Sequence, residues 1–127
     1  MKRINISSGS EYEKPIGFSR AVRIGNIISV AGTAPIAPDG TTANPGDLYN
    51  QTKRCLEIMK KAITDAGGKL ENVIRTRIYL KDISDWKNAA KAHGEYFTAI
   101  RPACTFIEVK GLIKEDWLIE TEADCVI

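Results

Sequence analysis

The last eleven residues, WLIETEADCVI, constrain this chain more than any other stretch. Ile119, Thr121, Ala123 and Cys125 alternate with Glu120, Glu122 and Asp124. A strict period of two places successive side chains on opposite faces of a strand. One face of that strand is apolar and the other acidic. The apolar face needs a covering layer, so the chain must build a sheet packed on something else.

The helices that can cover it are legible from spacing. Between residues 47 and 66, Leu48, Thr52, Cys55, Leu56, Met59, Ile63 and Ala66 recur every three or four positions, and Gly67-Gly68 ends the run. Lys53, Arg54, Lys60 and Lys61 fall on the opposite face and read as solvated. A second helix is expected after Ser84 as its cap, with Asp85 in its first turn and a stripe of Trp86, Ala90, His93, Phe97 and Ile100.

The remaining runs are β-like. FSRAVRIG and NIISVAG are joined by Gly25-Asn26, a two-residue hairpin signal. TAPIAPDGTTANPGD holds three of the five prolines and reads as loop. NVIRTRIYLKD places Ile74, Thr76, Ile78 and Leu80 on one face and Arg75, Arg77 and Tyr79 on the other, and ACTFIEV is a further strand. The polar first 16 residues form a loosely held arm or a short edge strand. The expected fold is α/β in order β-β-α-β-α-β-β, one sheet with two helices on one face, in a single domain spanning residues 1–127.

Composition excludes several classes of function. Eighteen Lys and Arg against sixteen Asp and Glu give a net charge of +2, which calls for no nucleic-acid or acidic-membrane partner. No apolar run approaches the roughly 20 residues of a membrane span, and no apolar segment follows the basic N-terminus as a signal peptide requires. Cys55, Cys104 and Cys125 are odd in number and without a Cys-x-x-Cys pair, as expected of reduced thiols in a cytoplasmic protein. A single histidine, His93, builds no zinc site of ordinary spacing, so no metal is expected. The Arg and Glu face of the sheet has two readings, a solvated face with cross-strand ion pairs or a face covered by another subunit.

Taken together, GNIISVAGTAP, LKDISDW, RPACTFIEV and the closing IETEA resemble the YjgF/RidA (Rid) family, also called perchloric-acid-soluble endoribonucleases, from about Pro15 to Val126. The resemblance implies a chorismate-mutase-like fold and a homotrimer whose sheets form a central barrel, with a small-molecule cleft between subunits. It also implies hydrolysis of reactive imines or enamines to keto acids and ammonia without a cofactor. In such an enzyme a guanidinium holds the substrate carboxylate and a Glu orients water.

Residue by residue, the family's water-orienting Glu matches Glu120. Its carboxylate-binding Arg is replaced by Cys104, in Pro102-Ala103-Cys104. Ser19 stands where active members carry Tyr, Ala31 stands for Ser ahead of Gly32 and Thr33, and Ala90 stands for Asn. Arg101 and Arg77 are the candidates to replace the missing guanidinium. Cys104 itself is a cleft-lining residue or a nucleophile, while Cys55 and Cys125 fall on apolar faces. Three functions stay open: a deaminase of altered specificity, a non-catalytic metabolite-binding trimer, and an RNA-acting protein. The last is disfavoured by the absence of a His pair and of an aromatic stacking platform.

Overall fold

A computed structural model describes all 127 residues. The strands are β1 (Arg3–Ile6), β2 (Ala21–Ile24), β3 (Ile27–Thr33), β4 (Val73–Leu80), β5 (Ala103–Glu108) and β6 (Ile119–Val126). The helices are α1 (Glu13–Ile16, a single turn), α2 (Leu48–Asp65) and α3 (Trp86–Phe97). The strands form one sheet in the order β1-β2-β3-β6-β4-β5. The only parallel pair is β4 with β5, which α3 connects as a crossover. The expected mixed α+β architecture is therefore present, with the N-terminal arm supplying β1 as an edge strand.

The hairpin forms where expected. Ile24 pairs with Ile27, and Gly25 takes a left-handed φ of 59° between them. The Asp47 side chain caps α2 by accepting from the Asn50 amide. All seven residues of the predicted α2 stripe are buried. Leu56, Met59 and Ile63 pack with Ile28, Val30, Val73, Phe97 and Ala123 in the larger core cluster. Each such side chain contributes roughly 1.5–3 kcal/mol on burial. Arg54 departs from the solvated reading, because its Nε donates to the Ile36 carbonyl at 2.5 Å and ties the long loop to α2.

Two expectations need correction. Ser84 does not cap α3: it lies in a 3₁₀ turn, Ile83–Asp85, where Asp82 accepts from its amide and hydroxyl. The helix starts at Trp86, and its buried positions are Ala89, Ala92 and Phe97, with Trp86 43% exposed and Ala90 and His93 only half-buried. The stripe is rotated because the small Ala89 and Ala92 let α3 lie close against α2, whereas Trp86 packs edge-on against Phe106 at the periphery. In β4, Ile74 is an extra residue: Val73 pairs with Cys125 and Arg75 with Asp124, so Ile74 has no partner of its own. This bulge turns Val73 into the core and leaves Ile74 53% exposed.

The two isoleucines of β4 make a direct test. Ile78→Ala, at a fully buried position, should lower unfolding free energy by about 2–5 kcal/mol in urea denaturation. Ile74→Ala should cost under ~1 kcal/mol in the same measurement on the single chain. Equal losses would place Ile74 in the core after all.

Candidate functional site

The site is built where β6 meets the end of β3. Ile119 and Thr121 are buried beneath the helices, so Glu120 between them projects to the open face. Between Val30, paired with Ala123, and Thr33, paired with Thr121, the two residues Ala31 and Gly32 face the single Glu122. This bulge presses the β3 backbone against Glu120. A Cβ on Gly32 would stand 2.6 Å from the Glu120 Oε2, so only glycine leaves the carboxylate in place.

Glu120 is half-buried and makes no ion pair. Burial pushes its carboxyl above the usual range; the Arg20 charge pulls the other way and Glu122 adds to the rise. A carboxyl held so keeps its proton to a higher pH than a solvated one.

Arg20 is the residue that sequence reasoning missed. Its Nη1 donates to the Gly32 carbonyl at 2.6 Å and to Thr33 Oγ1 at 3.0 Å, and Thr33 Oγ1 donates to the Ala31 carbonyl at 2.8 Å. The guanidinium also lies over the Phe18 ring, 5.6 Å from its centroid. Burial lowers its pKa, and the charges of Glu13 and Glu120 oppose that. No pattern singles it out among eighteen basic residues, because its partners lie twelve and thirteen positions away across a hairpin.

Beside this pair lies an open cleft of about 710 Å³, whose lining includes Phe18, Ser19, Ala31, Arg77, Glu122 and Asp124. Ser19 Oγ accepts from Asn5 Nδ2 at 2.8 Å. Arg77 stands opposite Glu122 but pairs diagonally, with Nη1 2.9 Å from Asp124 Oδ2, while the Tyr79 hydroxyl donates to Glu122 at 2.5 Å. These partly exposed pairs are worth under ~1 kcal/mol each. Their consequence is that Arg77 is already engaged.

Cys104 and Arg101 lie elsewhere in the chain. Cys104 is beside Thr76 in the outer strand β5, and Thr76 reaches toward α3, with its Oγ1 2.8 Å from His93 Nε2. Cys104 thus faces the helix side, whereas Glu120 is two strands away on the opposite face. Burial lowers the His93 pKa, which keeps the ring neutral. The Cys104 thiol is pushed up by burial, against a hydrogen bond to Thr76 and the charge of Arg75. Arg101 is exposed, with a left-handed φ of 55°, where α3 turns into β5. It forms no ion pair. Within one chain, then, Glu120, Gly32 and Thr33 come together next to Ser19 and Arg77, and Cys104 and Arg101 do not join them.

Residues 11–127 match the family model described as Endoribonuclease L-PSP. The chain belongs to this family, the YjgF/RidA group. A RutC family protein of Pyrococcus abyssi is 42% identical over 111 residues, 87% of each chain. The 3-aminoacrylate deaminase RutC of Acinetobacter baylyi is 36% identical over 79% of each. Among solved structures, the Mycobacterium tuberculosis member of the YjgF/YER057c/UK114 family has a TM-score of 0.89 at 41% identity, covering 99% of this chain and 100% of that one.

The three thiols of this RidA-family chain are distinguishable. Cys55 and Cys125 are buried, and burial raises both, Cys125 to about 11. Iodoacetamide should label Cys104 first in the folded protein, more slowly than a free thiol, and reach the other two only after denaturation. Peptide mass spectrometry showing equal labelling of all three would contradict the burial of Cys55 and Cys125.

Proposed function

We propose that the chain hydrolyses a small imine or enamine in a cleft completed by a neighbouring subunit of a homotrimer. The observation that carries this reading is the Glu120 carboxylate, half-buried, pressed against Gly32 and free of any ion pair. Ionised, it accepts a proton from a water and aims the oxygen at the imine carbon. The C–O bond forms as the imine nitrogen takes up a proton, giving a carbinolamine. Collapse of that adduct breaks the C–N bond and releases ammonia and a carbonyl compound. No redox step is involved, and no cofactor is required. The named activity of the Acinetobacter relative, deamination of an aminoacrylate, supports the same class of reaction.

Assembly is supported by the open face of the sheet. Ile24, Ile27 and Val126 adjoin one another across three strands there and are 40%, 55% and 39% exposed. A second copy of the chain that covered them would also enclose the Arg77, Glu122 and Asp124 ladder. A second reading, a metabolite-binding trimer without turnover, is favoured by the cysteine standing where the family's anchoring guanidinium is expected. Light scattering should report three times the chain mass; a monomer would remove the basis for an interface cleft.

The decisive assay follows ammonia release from 2-aminoacrylate generated in place by a pyridoxal-phosphate lyase. Glu120→Gln should lower kcat by ~10²–10⁴, and Gly32→Ala by up to ~10² because it displaces the carboxylate. Wild-type release at the uncatalysed rate would favour the binding protein.

The pH dependence has a definite sign. Activity should fall as acid protonates Glu120, with a midpoint above the ordinary carboxylate range. A folded-state pKa raised above the unfolded one also means that ionising Glu120 costs stability as pH climbs between the two. Glu120→Gln should therefore leave Tm at pH 7 unchanged or higher, while activity is lost. A lower Tm would mark Glu120 as structural.

A further inference from the structure

We propose that Arg20, rather than Arg101 or Arg77, supplies the guanidinium that holds the ligand's carboxylate beside Glu120. The inference rests on the hydrolytic reading above and names the anchoring residue of that same site.

Arg20 and Glu120 carry charges that attract without meeting. Arg20 and Glu120 are near enough for each to shift the other's titration. They are nevertheless absent from the three ion pairs of the chain, which join Lys61 to Asp65, Arg77 to Asp124 and Lys81 to Glu115. A guanidinium and a carboxylate in a half-buried setting ordinarily close on each other. Here the backbone prevents it. The bulge fixes Gly32, whose carbonyl and neighbouring Thr33 hydroxyl hold Arg20 Nη1, while the missing Cβ of Gly32 admits the Glu120 carboxylate on the same segment. The Phe18 ring restrains the guanidinium plane.

Only Nη1 is engaged in these bonds, so Nε and Nη2 have no hydrogen-bond partner within the chain. The second acid near Arg20, Glu13, is committed elsewhere: its Oε2 accepts from the Ser8 amide at 2.9 Å and the Ser8 hydroxyl at 2.7 Å. An anion alone would meet Glu13 and Glu120 together and be repelled. A ligand with both signs of charge satisfies the pair, its carboxylate on Arg20 and its N–H⁺ on Glu120. An iminium carboxylate has this form, and the contact sets its imine carbon beside the water-activating group. The other two candidates lack this setting, since Arg77 is bound to Asp124 and Arg101 stands at the far edge of the sheet.

The test is an equilibrium titration that needs no turnover, followed by the amide signals of Gly32 and Thr33 in ¹⁵N–¹H NMR spectra. The probes are L-alanine with both charges, L-alaninamide without the carboxylate, and pyruvate without the nitrogen. Wild type should bind alanine roughly tenfold or more tightly than either, as expected for charge-assisted hydrogen bonds. Arg20→Gln should reduce alanine to the level of alaninamide, and Arg20→Lys should recover part of the difference. Arg20→Lys also guards against a misfolded Gln variant, with thermal unfolding as the check. Arg101→Gln and Arg77→Gln should keep the preference.

A folded Arg20→Gln that still prefers alanine to alaninamide overturns the proposal, as does the absence of any alanine-dependent shift at Gly32 in wild type. The two readings separate cleanly. An Arg20-dependent preference in a protein that does not turn over 2-aminoacrylate keeps the anchor and removes the hydrolase. Glu120-dependent turnover without that preference does the reverse.

Discussion

The structure depends on the insertion of β6, the last strand made, between β3 and β4. It pairs antiparallel with both, joining the N-terminal hairpin to the crossover half of the chain. Its inner residues Ile119, Thr121, Ala123 and Cys125 are buried, and burial of that face depends on α2 lying across it. Its outer residues Glu120, Glu122 and Asp124 then have no choice of direction, because the side-chain period of a strand is two. Glu120, the acid proposed to act on water, is thus placed by the same alternation that builds the core.

Two bulges convert that regular scaffold into something specific. One inserts Ile74 and turns Val73 inward, so that Val73 joins Leu56, Met59 and Ile63 of α2 in the larger core cluster. The other inserts a residue at Ala31-Gly32 and brings backbone rather than side chain against Glu120. Bulges recur beside functional sites because they re-aim atoms without breaking the sheet. Here the result is a carboxylate that Arg20 influences electrostatically without neutralising it in an ion pair.

The position of Cys104 gains meaning from the same topology. An arginine there would project from an outer strand on the helix side, away from Glu120 of its own chain. Cys104 is therefore separate from the Arg20, Gly32 and Glu120 group of its own chain. Thr76 and His93 beside the thiol form a small polar patch under Phe97 and Phe106, and the ring contacts hold His93 in place.

The sequence by itself determined the layers. The alternation in residues 119–125, the three-and-four spacing of α2 and the Gly25-Asn26 turn each state a local preference strong enough to survive folding, and Glu120 was legible from its motif as a candidate on the open face. Only the tertiary structure decided which way Ile74 points, where α3 begins and which face it buries, because bulges and 3₁₀ turns shift register by one residue without changing the local pattern. Arg20 belongs to the same category. Its role is set by a carbonyl and a hydroxyl across a hairpin and by an acid a hundred residues later, contacts that no periodicity encodes.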